Sequence, residues 1–343
     1  MLENLINKPQ GIGCHAWTGF YGSPIDNDQA FNLIHSAILN GVNFFDTADV
    51  YGSGRNEGQI GLTISKIIDQ RISTRHQIII ASKCGIVNKT EGSLKRCIDN
   101  SYDYVINACN QSLARLGQDV GYIDLFYLHR VNQDQLEDSM KAMTYLLKTG
   151  KIRSVGLSEA SLGVIKRANN LLKAYSHGKH QIIALQVELS LISKQSLSNG
   201  TLDYCLNNDI SFVAYSPLCR GLLTSEIEDR NHLAVDDFRR SLPRFQKDNI
   251  SYNLNLLKSI KQVADDKSCT TAQIALAWVK SIGAIAIAGT TKENNLISNI
   301  RALEIHLTDD EVELLSSIGN ANGYRYSEEA MQLYGLDDEM SEC

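Results

Sequence analysis

The sequence predicts an α/β protein, a single (β/α)8 TIM barrel, and three observations predict it. Eight short β-rich runs alternate with longer segments of helical period almost from end to end of the 343 residues. Most of these runs are near-continuously apolar rather than alternating, as strands covered on both faces must be. Polar residues able to move protons gather at the C-terminal ends of the runs, the edge at which such barrels carry their chemistry. Periodicity does not reveal closure, so an open sheet stays an alternative at this point.

In order, the runs are 11–14, 42–46, 78–83, 123–129, 153–158, 182–188, 211–216 and 284–290. The segments between them have recognisable helix ends. Asp26 can cap a helix carrying Ala30, Phe31, Leu33, Ile34, Ala37 and Ile38, with Gly41 just past its end. Ser101 can cap a second whose apolar positions Val105, Ile106, Ala108, Leu113 and Leu116 precede Gly117. Leu136, Met140, Met143, Leu146 and Leu147 run to Gly150. Two stretches break the alternation. From about 218 to 256, around Arg239, Arg240, Pro243, Arg244 and Phe245, no strong period is found, which predicts a long loop after the seventh strand. From about 319 the chain is a tail rich in Tyr, Glu, Asp and Met, which fits a functional barrel loop and a solvated terminus equally well. The whole of 1–343 reads as one barrel domain.

Composition narrows the function. Hydrophobic residues at 43% and charged residues at 21% suit a globular protein with a large core. A net charge of -6 argues against nucleic acid as a partner. No basic, apolar and small-residue succession opens the chain, and no apolar run approaches the roughly 20 residues that span a bilayer. A cytoplasmic protein with no membrane partner is the expectation. The eight cysteines form no CxxC pair, so reduced thiols are expected. Cys14, Cys84 and Cys219 follow apolar runs near the presumptive mouth, where they are either redox-active or small packing residues.

Four groups stand out at that mouth: Asp46, Lys83 and His129 close three successive runs, and Tyr51 follows Asp46 by one short turn. A buried ammonium is costly unless paired, and Asp46 is an available partner for Lys83. A cation near a phenol oxygen stabilises the phenolate, so Lys83 could ease proton donation by Tyr51, while His129 orients a substrate oxygen. Spacing alone fits such a tetrad and two unrelated structural pairs equally well. Asp46, His129 and Glu188 could also hold a divalent ion, but Lys83 would compete with it, and no HExxH or paired Cys/His spacing marks a metal site. There is no GxGxxG fingerprint.

The stretches GVNFFDTADVYGSGRNEGQIG, ASKCG, YIDLFYLHRV, KIRSVGLSEAS, ALQVELSLIS, VAYSPLCRGLLT and AGTTKENNLISNI, spread over roughly 11–315, resemble the aldo-keto reductase family in order, spacing and strand placement. The resemblance implies an NADPH-dependent reductase of a small-molecule aldehyde or ketone, NADH being the lesser cofactor and no metal being required. Tyr51 is then the general acid, Lys83 and Asp46 shift its pKa, and His129 orients the carbonyl. Ser158 and Gln186 match positions that hold the nicotinamide carboxamide. Glu159 stands where many relatives have Asn. Tyr215 matches the aromatic that stacks on the nicotinamide, and Ser216, Pro217, Leu218 and Arg220 lie in a loop resembling the pyrophosphate strap. Cys219 replaces a glycine usual in that loop. Gly289, Thr290, Thr291 and Lys292 resemble the 2′-phosphate site at a helix start. Asn295 matches a position often basic, Ser298 one often acidic, and Asn299 an adenine contact.

Two departures accompany the resemblance. Only about ten residues precede Gly11, so the N-terminal hairpin that usually plugs the barrel bottom is expected to be shortened or absent. His15 replaces a common Met near the substrate pocket, where with Trp17 and Phe20 it would shape specificity; a packed loop His is the alternative. The fold also hosts channel β subunits, so a slow, nicotinamide-sensing regulatory subunit is the competing function.

Overall fold

The computed structural model describes residues 8–19, 21–88 and 96–334. Eight parallel strands close into a barrel: β1 (Gln10–Gly13), β2 (Phe44–Asp46), β3 (Ile79–Cys84), β6 (Ile123–Leu128), β7 (Ile152–Ser158), β8 (Ile182–Glu188), β9 (Ser211–Tyr215) and β10 (Ile285–Ile287). Pairing of Gln10 with Ala286 joins the last strand to the first, which excludes the open sheet. A question left by the sequence, whether a hairpin plugs the bottom, falls mainly on residues 1–7, outside the described residues.

Between β3 and β6 the chain makes an antiparallel hairpin, β4 (Ile86–Asn88) with β5 (Arg96–Ile98), which the apolar pattern did not announce. The outer layer comprises α1 (Asn27–Leu39), α2 (Arg55–Asp69), α3 (Tyr102–Leu116), α4 (Leu136–Lys148), α5 (Leu162–Tyr175), the short α6 (Gln195–Ser198) and α7 (Thr201–Asn207). It continues through α8 (Lys247–Asn255), α9 (Leu257–Asp266), α10 (Thr271–Ser281), α11 (Glu293–Arg301), α12 (Asp309–Ser316) and α13 (Glu328–Tyr334). Asp26 caps α1 as expected, accepting the Gln29 amide at 2.8 Å in a reciprocal box. Ser101 precedes α3 but makes no side-chain cap, a correction to the sequence reading.

The predicted long loop after the seventh barrel strand, β9, is a chain of tight single turns over Cys219–Thr224, Arg230–His232, Phe238–Ser241 and Pro243–Phe245. It ends in α8, a helix too polar for its period to show in the sequence. Between Ala321 and Met331 the tail is tied to the rest of the chain rather than free. Ala321 donates to the Ile192 carbonyl at 2.8 Å, and Asn322 to Asn253 Oδ1 at 2.7 Å. Met331 is buried.

Two apolar layers hold this together. Phe44, Ile79, Ala81, Leu125, Tyr127, Val213, Ile285 and Ile287 fill the barrel interior. A larger cluster lies between the strands and the helices. Side chains alternate in and out along a strand, so the next inward positions are fixed by the ones below. Phe44 points in and so does Asp46; Ile79 and Ala81 lead to Lys83; Leu125 and Tyr127 lead to His129; Val213 leads to Tyr215. The polar ring at the barrel mouth is therefore the top layer of the same ladder that builds the core. Gly156 belongs to it too, because a Cβ there would meet the Tyr127 ring at 2.4–2.5 Å.

Candidate active site

The mouth opens into a cleft of about 1600 Å³ lined by Asp46, Tyr51, His129, Ser158, Gln186 and Tyr215 from the strand ends. Lys83 lies beneath, fully buried. Its Nζ donates to Asp46 Oδ1 at 2.5 Å, to the Thr47 carbonyl at 2.8 Å and to Tyr51 Oη at 3.3 Å. The four residues form one constellation, not two unrelated pairs. His129 is held by its backbone N–H on the Cys84 carbonyl at 2.7 Å, with its ring edge-on to Tyr51, centroids 5.9 Å apart.

Tyr51 is placed by an unusual turn. Gly52, Ser53 and Gly54 all adopt positive φ, at 57°, 56° and 87°. For Ser53 that left-handed conformation costs about 1 kcal/mol or more. The first turn of α2 stabilises the turn from below. Asn56 accepts from Thr47 Oγ1 at 2.6 Å and donates to the Cys14 carbonyl at 2.8 Å. Glu57 accepts from Ser82 at 2.5 Å and from Arg115 at 2.6 Å. Asn56 and Glu57 were visible in the sequence as RNEG but carried no chemical signal of their own.

Electrostatics differ from the sequence argument in one respect. Burial pushes the Tyr51 phenol above its ordinary pKa, and this outweighs the pull of Lys83 in the opposite direction. Burial also opposes the Lys83 charge, but Asp46 and Tyr51 together hold Lys83 above the usual lysine value, so it stays a cation. Burial, with Lys83 and Arg130 nearby, drives His129 well below the usual histidine range. Its Nδ1 is buried and has no hydrogen-bond partner among the described residues. His15, its ring 4.6 Å from that of Tyr51, is pulled down to about 3 by burial and then by Arg220, Lys83 and Arg96. Both imidazoles are neutral at physiological pH.

The expected cofactor residues divide into three groups. Ser158, Gln186, Tyr215, Ser216, Pro217, Leu218, Arg220, Gly289, Thr290, Asn295 and Asn299 line the cleft, as does Ser298. The Gln186 amide nitrogen donates to Asp46 Oδ2 at 2.8 Å, which leaves its second hydrogen for another acceptor. Thr291 and Lys292 stand at the start of α11 but off the cleft wall, Lys292 exposed as its N-cap residue. Glu159 is a correction: it is buried, accepts from Arg325 at 2.6 Å and from the Glu188 backbone at 2.9 Å, and does not face the cleft. Glu188 likewise pairs with Arg244 at 2.5 Å, so it does not converge with Asp46 and His129.

Of the three expected pocket residues, His15 lines the cleft. Trp17 does not: it is fully buried, and its Nε1 donates to the Thr290 carbonyl at 2.9 Å, tying the β1 loop to the segment before α11. Phe20 lies outside the described residues. Cys219 adopts the left-handed conformation that favours glycine, at φ 46°, with Ser216 at 51° and Arg220 at 56° close by. Tyr21, Arg96, Arg130 and Tyr326 line the cleft without having been expected there. Arg130 Nη1 reaches the His129 carbonyl at 2.6 Å and Ser158 Oγ at 3.4 Å. Arg220 lies over the Tyr326 ring at 4.9 Å, and its Nη1 has no hydrogen-bond partner among the described residues.

A buried Asp–Lys–Tyr chain beside a neutral histidine, at the C-terminal edge of an eight-stranded barrel, bears out the resemblance. A model of the Aldo/keto reductase family matches residues 11–320. The chain belongs to the aldo/keto reductase family. It is 36% identical over 322 residues to "Probable aldo-keto reductase 1" of Glycine max, covering 92% of this chain and 87% of that protein. The glycerol dehydrogenase of Gluconobacter oxydans superposes with a TM-score of 0.77 at 26% identity, covering 90% of each chain. An aldo-keto reductase of Bombyx mori, solved in complex with NADP, shares the fold with a TM-score of 0.68 at 20% identity, over 95% of this chain and 94% of that one. As a member of the aldo/keto reductases this protein is an oxidoreductase. Among the described residues no helix is long and apolar enough to cross a membrane.

Proposed function

We propose that this aldo/keto reductase reduces an aldehyde or ketone to the alcohol by hydride transfer from NADPH, with Tyr51 as the general acid. The observation that carries the reading is the Lys83 ammonium, 3.3 Å from the Tyr51 oxygen and fixed by Asp46. The residues present suit a nicotinamide dinucleotide. At Gly289 a Cβ would meet the Gly13 carbonyl oxygen at 2.8 Å, so the β1 and β10 ends approach as only glycine permits. Beyond them α11 begins with no side-chain cap, leaving its first N–H groups for a phosphate beside Lys292. Thr290, Asn295 and Asn299 would flank the nucleotide and Tyr215 would stack on its ring. When bound, NADPH supplies the hydride.

The chain's own residues supply the proton and the orientation. The neutral His129 ring can hold a carbonyl oxygen by an N–H donor while Tyr51 approaches the same oxygen with its hydroxyl. Burial makes the free phenol reluctant to ionise, but the phenolate forms beside a cation already in place, so no reorganisation is required at the moment of transfer. His15, neutral and edge-on to Tyr51, walls the pocket without competing for the proton.

The test is a titration of the protein with NADPH and NADH by tryptophan fluorescence, followed by a panel of aldehydes. NADPH should bind more tightly and be oxidised when an aldehyde is added. Tyr51→Phe should bind NADPH as the parent does and lose about 10²–10⁴-fold in turnover, the usual worth of a positioned acid. Retained activity in that variant would remove Tyr51 from its role, and tight binding without turnover in the parent would point to a cofactor sensor.

A further inference from the structure

We propose that Arg325 is a positioning residue of the nicotinamide end of the cleft, fixing the Tyr215 ring through its phenol and using Glu159 as an anchor. This rests on the reading of the cleft as a nucleotide-dependent reductase site. Arg325 belongs to the C-terminal segment and is only 4% exposed. Its Nη1 donates to the Tyr215 hydroxyl at 2.9 Å and its Nη2 to Glu159 Oε2 at 2.6 Å. The other Glu159 oxygen accepts the Glu188 backbone N–H at 2.9 Å, which locks the carboxylate to strand β8. The guanidinium thus bridges the end of β9 to the turn after β7.

This arrangement gives Glu159 a purpose that the cofactor reading did not. A carboxylate at that position is suited to receive an arginine, and Glu159 presents it from a left-handed backbone conformation, φ 52°. Tyr215 is restrained from both sides, since its oxygen also lies 3.2 Å from that of Tyr326, which itself lines the cleft. A tyrosine free at its oxygen can tilt about its χ angles; one tethered to a rigid planar fork presents a fixed face to a stacking ring. The C-terminal segment is thereby tied into the site, whose wall it also forms through Tyr326, Ser327, Glu329 and Ala330.

Lysine can satisfy Glu159 or Tyr215 but cannot bridge both, which makes Arg325→Lys the informative variant. In the full-length protein it should unfold within a few degrees of the parent and weaken NADPH binding about tenfold, the scale of one charge-assisted hydrogen bond. Tyr215→Phe should weaken binding similarly, and the double variant should be no worse than either single one. Glu159→Gln, nearly isosteric, should weaken NADPH binding in the same direction with Tyr215 intact. Unchanged NADPH affinity in Arg325→Lys and Glu159→Gln alongside a lowered melting temperature would overturn the proposal and leave a purely structural clamp. Multiplying losses in the double variant would overturn it too. A parent protein that binds neither NADPH nor NADH would instead fail the reductase reading itself.

Discussion

Asp49 sits between Asp46 and Tyr51 in the chain, and its Oδ2 accepts the Tyr104 hydroxyl at 3.4 Å. Burial, and then the charge of Glu57, raise its pKa to about 7. An unfolded aspartate titrates near ~3.9, so the folded state retains a proton that the unfolded chain releases between the two values. Its contribution to stability is therefore fully present below the unfolded pKa and is lost as pH rises through about 7. Asp49→Asn should melt about 2–4 °C above the parent at pH 8, with the gap closing toward pH 4, in paired thermal scans. A gap independent of pH would mean that the carboxyl is ordinary. Asp46, Lys83 and His129 were legible as candidates because each closes an apolar run, and the family resemblance joined them with Tyr51 into a tetrad. The balance at Tyr51 was not, since a sequence reveals which charge is near but not how much water has been removed. Glu159 shows the same limit: its partner Arg325 lies 166 positions further along, in a stretch without period.

Three helices with an apolar stripe, α1, α3 and α4, were read with nearly the right limits, and α1 even with its cap. The β4–β5 hairpin and α8 were missed because each is short and polar on most of its surface, so neither periodicity nor apolar content separates it from a loop. Packing between elements adds a constraint that no propensity scale contains. Gly61 in α2 faces the C-terminal end of α3, and a Cβ there would come within 2.7 Å of the Leu116 carbonyl carbon. That obstacle is backbone and cannot rotate away. Gly61→Ala, a substitution that should favour an isolated helix by about 1 kcal/mol, is expected to destabilise this protein by about 1–3 kcal/mol. Urea denaturation decides between the two, and a stabilised variant would show that α2 and α3 can separate at no cost.

Closure depends on the pairing of β1 with β10, and nothing local in either strand encodes it. The family resemblance implied it, because its motifs run in order from β2 to α11 and the barrel needs all of them. The tail posed the opposite problem: its composition suited a functional loop and a solvated terminus alike, yet Arg325, Asn322 and Ala321 fasten it to the rest of the chain.

Charge is also distributed at this scale. The chain carries a net charge of -6, while Arg96, Arg130 and Arg220 line a cleft that also holds Glu226, Glu329 and an Asp46 already neutralised by Lys83. A polyanion such as NADPH would approach a chain of net negative charge and enter a cleft that presents Arg96, Arg130 and Arg220. Its capture should then be governed by the ionic atmosphere, whose screening length shrinks from about 10 Å at 0.1 M salt to about 3 Å at 1 M. In stopped-flow measurements the association rate should fall several-fold over that range while dissociation changes little. The barrel mouth, on this view, sets how often the protein meets its ligand as well as what happens once it has arrived.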